Sequence, residues 1–130
     1  MDLSQYLAGL VSDWLGGSDM PSAPSTIYID LLDNSIPPVS ILSTITGSSN
    51  RQVLPLNTKV PGGIDGYTRT SSGIITFISS ATGNATIANV GVYDAITGGN
   101  QLLLKDLAPT PVTIGDRVRI LDEQFNLLID

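Results

Sequence analysis

The 130-residue chain contains no cysteine and no histidine. The first absence removes any disulfide framework or thiolate metal site. Together they exclude Ser-His-Asp and Cys-His nucleophilic centres. A lysine base has only Lys59 and Lys105 to draw on. One stands in a Pro/Gly-rich loop and the other near an expected strand end, so neither resembles a buried base of depressed pKa. Glu123 is the only glutamate, and Asp30 and Asp33 fall on opposite faces of one strand, which leaves no evident carboxylate pair. The chain reads as a non-enzyme with no cofactor.

Positive charge is also scarce. Six basic residues stand against twelve acidic ones, for a net charge of −6. Such a chain is repelled by phosphate backbones and anionic lipid, so neither nucleic acid nor a membrane is expected as partner. No apolar run reaches the roughly 18 residues of a membrane span. The first segment, MDLSQYLAGLVSDWLGG, lacks the basic start of a signal peptide, and its apolar residues are spaced. Synthesis and use in a cytosol, or assembly there, is the expectation. Charged residues of both signs make up only 14%, against roughly 25% in ordinary soluble domains. Either other protein covers part of the surface, or the surface is a Ser/Thr-rich β face.

What is present begins with a stripe. Leu3, Tyr6, Leu7, Leu10, Val11, Trp14 and Leu15 recur on a 3.6-residue period. Asp2 or Ser4 suits the N-cap, and Gly16-Gly17 the left-handed stop. A helix of about 12 residues is marginal alone, so the stripe must dock, on its own sheet or on a neighbouring subunit. The linker SDMPSAPS (18–25) ends the helical signal. This gives an N-terminal docking helix over 1–17, a linker over 18–25 and a β domain over 26–130.

Within the β region TIYIDLL (26–32) sets Ile27, Ile29 and Leu31 on one face and Tyr28, Asp30 and Leu32 on the other. VSILSTIT (39–46) follows a Pro37-Pro38 break and reads as a further strand. RQVLPLN (51–57) is confined by Pro55 to an edge or a short strand. GIITFIS (73–79), TIANVGVYD (86–94), QLLLKDL (101–107), RVRILD (117–122) and FNLLID (125–130) complete the set, with a Pro-flanked turn after residue 107. About 8–10 short strands at this spacing predict an all-β fold, an antiparallel sandwich or barrel, preceded by one amphipathic helix.

DAITGGN (94–100) has the look of a ligand loop. A calcium loop needs alternating oxygen ligands, whereas this stretch offers one carboxylate, Asp94, then Thr97 and Asn100. The Gly pairs at 16–17, 62–63 and 98–99 are not phosphate loops, because none opens a helix with a following Lys. No metal is expected. Gly98, Gly99 and Asn100 permit the positive φ of a hairpin bend, and Asp94 suits a cap on its backbone amides. QLLL then returns beside VGVY, burying Leu102 and Leu104 or else Leu103 according to register.

The order of a helix ending in GG, PSAPSTIYIDLL, RQV and VGVYDAITGGNQLL resembles a family of small tailed-bacteriophage virion proteins. Its members are labelled tail-fibre or head-decoration (cement) proteins, and their hallmark is a VGIYDAATGGNLL-like hairpin. TIGDRVRILDEQFNLLID resembles the family's closing β segment, while residues 35–50 depart from its Gly-rich version. The resemblance implies a non-enzymatic virion protein made in the host cytoplasm. Its first reading is a capsid cement protein, forming a homotrimer of sister copies on the exterior of the shell and bound to the major capsid protein. The alternative is a tail-fibre or baseplate component that binds other tail proteins and contacts the host surface. In either, the helix stripe is the expected anchor.

Overall fold

The alternation of TIYIDLL becomes strand β2 (Tyr28–Leu32), which lies inside the largest sheet. The computed structural model describes every residue except 1, 58–59, 62–66, 123 and 130, and the side chains of 2, 60–61, 67–68 and 126–129 also lie outside it. Lys59 and Gly62-Gly63, with most of the Pro/Gly-rich loop around them, are therefore outside the described residues. The sheet runs in the order β1 (Asp2–Leu3), β8 (Gln101–Val112), β7 (Ala85–Tyr93), β2 and β3 (Gln52–Val53). A three-stranded sheet joins β10 (Asn126–Ile129), β5 (Tyr67–Thr70) and β4 (Val60–Pro61), and a ribbon pairs β6 (Ile75–Ile78) with β9 (Val118–Ile120). Every pairing is antiparallel, and a short helix α1 (Gln5–Leu15) lies near the N-terminus, so the expected all-β class is present.

The core forms where one face of the large sheet meets the ribbon and a second helix, α2 (Leu42–Thr46). Ile29 and Leu31 of β2, Val92 of β7 and Leu103 of β8 pack there with Phe77 and Ile45. Full burial of each such aliphatic side chain contributes about 1.5–3 kcal/mol. In β7 the inward side changes from Ala85 and Ile87 to Val90 and Val92, across a register shift between Ile87 and Asn89. At the C-terminal end, the Ser71 N–H donates to the Phe125 carbonyl at 2.8 Å, and Ser71 Oγ accepts from the Phe125 N–H at 3.2 Å. That exchange extends the β5–β10 ladder by one step, and the buried Phe125 side chain joins the sheet to the core.

Four local expectations change. Leu3 belongs to β1, not to the helix, because its register partner is Leu103 and the next N–H, of Ser4, donates to the Leu102 carbonyl at 2.8 Å. Ser4 is then the N-cap, its Oγ accepting from the Leu7 N–H at 3.0 Å. Residues 42–46 are helical rather than extended. Leu42 and Ile45, three apart, both bury completely, Thr46 Oγ1 donates back to the Leu42 carbonyl, and Gly47 at φ 76° stops the turn. The Pro-flanked turn is absent, since β8 runs on through Pro109 and Pro111 to Val112. Proline is tolerated because β1 reaches β8 only at Leu103 and Leu104, which leaves the later stretch open on the side away from β7. This continuation also places Lys105 inside β8 rather than near a strand end.

Candidate interaction surface

The β7–β8 hairpin is shaped at its tip by Asp94. Its Oδ1 accepts from the Asn100 N–H at 2.7 Å and its Oδ2 from Asn100 Nδ2 at 3.1 Å. These bonds, the backbone one first, hold the Asp94 carboxyl below the usual aspartate range. Gly98 and Gly99 have φ of 60° and 67°. A Cβ on Gly99 would also stand 2.5 Å from Asp94 Oδ1, so position 99 requires glycine twice over. The carboxylate that looked like a ligand is occupied by the turn itself. Among the described residues no group of three or more His, Cys, Asp or Glu is placed to hold a metal ion.

Behind the tip stands Arg51, just before β3. Its Nε donates to Asp30 Oδ2 at 2.9 Å, and its Nη1 to the carbonyls of Ala95 at 2.9 Å and Gly98 at 2.7 Å. Its backbone N–H donates to the Ile96 carbonyl at 3.1 Å. The guanidinium also lies 3.6 Å from the centre of the Tyr93 ring. Burial pushes the Tyr93 phenol up, and the Asp30 carboxylate adds to that. Asp30 is 1% exposed and takes a second bond from Ser40 Oγ at 2.7 Å. Asp33, by contrast, lies beyond the strand and accepts from the Ser35 and Val39 amides, both at 2.9 Å. The Val39 bond is the leading cause of its lowered carboxyl pKa.

Sequence reasoning missed the Asp30–Arg51–Tyr93 clamp. The signal was present, because a carboxylate inside the apolar strand TIYIDLL requires a buried partner, and the chain has only six basic residues to supply one. The clamp fixes three carbonyls of the tip, those of Ala95, Ile96 and Gly98, and it leaves the Ile96 side chain 45% exposed.

The helix stripe and the hairpin, read separately in the sequence, meet in a groove. Tyr6, Leu7 and Leu10 of α1 form one wall and Met20–Ser25 another, with Asp94 and Leu102 completing it around about 580 Å³. Leu7 and Leu102 reach the core from outside, while Leu103 alone of the three leucines is fully buried. Nothing in α1 is buried. Val11 is half-buried, and the stripe ends on Trp14 and Leu15, exposed by 57% and 74%. Leu3, on β1, is 41% exposed and is not part of the helix. No helix among the described residues is long and apolar enough to cross a membrane.

This arrangement offers contact area and shape, with an apolar helix face beside a rigid hairpin. No curated protein matches the sequence. The family described as podophage GP4 fiber I protein gp80 matches residues 2–127, a span that includes the helix, the clamp and the hairpin. The chain belongs to that family of phage virion structural proteins.

Proposed function

We propose that the chain is a non-enzymatic building element of a phage fibre, which holds another virion protein chain through the exposed apolar face of α1. The observation that carries this reading is that α1 buries none of its residues while Trp14 and Leu15 stand open. Large apolar side chains grouped on one surface mark interaction sites in folded proteins. The clamped hairpin supports the reading by giving α1 a stiff platform to work from. Among locations, the family favours the fibre over the capsid-cement role that the sequence alone placed first. Other tail proteins are then the first candidates for partner, ahead of the major capsid protein.

The test is a Trp14→Glu/Leu15→Glu variant supplied to phage that lack the wild-type copy. Virion incorporation is expected to fall sharply while circular dichroism and cooperative melting stay close to wild type. Normal incorporation would remove α1 from the assembly contact. Immunogold labelling of the wild-type protein on virions is expected to decorate the tail region. Uniform labelling of the shell in hundreds of copies would return the cement reading.

A further inference from the structure

A second apolar cleft shares no residue with the groove beside α1. It opens between β8 and β9, and it holds about 370 Å³. Its cause is local: between the pairs Asn89–Asp106 and Ile87–Thr110, β8 carries three residues opposite one of β7. Phe77 and Phe125 lie deep in the cleft, and Leu107 and Leu121 at its rim are 37% and 46% exposed. Lys105 and Arg119 also line it.

In a chain of net negative charge, the charged residues that line this cleft are both cations, among the described residues. Among the described residues the only ion pair is Arg51–Asp30, and no described carboxylate pairs with Lys105 or Arg119. Arg117, two residues before Arg119, is exposed as well. No carboxylate among the described residues lines the cleft, and the described ones near it in sequence are held in turns or face away. Asp116 Oδ2 accepts from the Thr113 N–H at 2.9 Å and Asp122 Oδ1 from the Gly73 N–H at 2.8 Å. Asp106 alternates with Lys105 along β8 and so faces the other side. An apolar cleft with cationic edges calls for an apolar occupant with acidic flanks.

The C-terminal end of α1 has that chemistry. Its last turn contains no basic residue, Trp14 and Leu15 are exposed, and Asp13 and Asp19 stand exposed on either side in sequence. Terminal carbonyls add the negative end of the helix dipole. An aspartate there is unfavourable in the isolated molecule and becomes favourable against a cationic surface.

We infer that α1 of one copy seats Trp14 and Leu15 in the Lys105/Arg119 cleft of a second copy of this chain. The inference rests on the proposed role of α1 and names its partner. Because the two patches are different surfaces, the contact is head-to-tail and either closes a ring or propagates along a fibre. A single tryptophan covers only about 150–250 Å², so one contact is weak and repetition or closure strengthens it.

Trp14 is the only tryptophan and therefore reports on itself. Its emission is expected to move to the blue as protein concentration rises, in step with oligomers in sedimentation, and to move back with added salt. Trp14→Ala and Lys105→Glu/Arg119→Glu are each expected to weaken self-association about thirtyfold, with cooperative melting retained. Mixing Asp13→Lys/Trp14→Ala with Lys105→Glu/Arg119→Glu leaves one intact helix end and one intact cleft, so dimers form and growth stops there. A wild-type chain that stays monomeric at all concentrations would overturn the inference, as would a cleft variant that associates normally, or a mixture in which no dimer forms. If cleft variants enter virions normally while the Trp14→Glu/Leu15→Glu variant does not, α1 keeps its role and its partner is another protein. If that α1 variant also enters normally, both readings fall.

Discussion

Arg51 spends one side chain on four tasks. It neutralises Asp30, satisfies the Ala95 and Gly98 carbonyls and covers the Tyr93 ring. Replacing it with leucine would leave Asp30 buried and charged, with Ser40 Oγ as its remaining side-chain donor. Breaking such a pair from one side costs about 3–5 kcal/mol, so Arg51→Leu is expected to shift the urea midpoint by that equivalent. Arg51→Lys restores charge but not the fork, and should recover only part of the loss. Asp94 acts on the same loop through pH. Its carboxyl lies below the ordinary aspartate value of about 3.9, so the folded hairpin binds its proton later than the unfolded chain does. The stabilisation is complete above that ordinary value and is lost as pH falls through the folded one. Because the group is exposed, the global effect is small and the local one is what to measure. Hydrogen exchange at the Asn100 amide should accelerate in that acid window relative to the base-stable trend, and Asp94→Asn should remove the dependence.

The two helices show how the same local structure serves opposite ends. The five residues of α2 put Leu42 and Ile45 into the core, whereas none of the eleven of α1 is more than partly buried. Leu42→Ala or Ile45→Ala is therefore expected to cost about 2–5 kcal/mol by loss of transfer energy and by the cavity left behind. Trp14→Ala should change stability by about 0.5 kcal/mol or less, as surface substitutions do. Equal losses at the two helices, measured by denaturant titration, would contradict the burial difference. Elements also explain where sequence reading went astray. The stretch VSILSTIT is β-branched and alternates, yet the helix forms because Gly47 stops it and both inward residues fall on one side of a single turn. Propensity gave way to packing.

At the scale of the whole molecule, the core is built from β2, β6, β7, β8, β9 and α2, with α1 and the two residues of β1 applied from outside. Deleting residues 2–17 removes one short pairing and no buried helix residue. The remaining chain is expected to unfold in a single cooperative transition, a few degrees below wild type at most, while losing particle association. Loss of the cooperative transition would show that α1 and β1 are required by the core.

The sequence alone determined the class. Alternating runs between Gly, Pro, Asn and Asp turns point to strands in all but the 39–46 segment, the 3.6-residue stripe points to a helix, and the absence of cysteine and histidine removes nucleophilic centres built on either. It also pointed to a bend at 94–100, where Asp94 bonds Asn100 and Gly98 and Gly99 take positive φ, while Arg51 holds the tip from a distance in the chain. Tertiary structure decided what depends on residues far apart in the chain. Which of Leu102, Leu103 and Leu104 is buried follows from pairing with β7, and that a lone carboxylate in β2 meets Arg51 follows from β3 closing the sheet edge. The division is physical: backbone conformation is set by neighbours in sequence, whereas burial and charge pairing are set by neighbours in space.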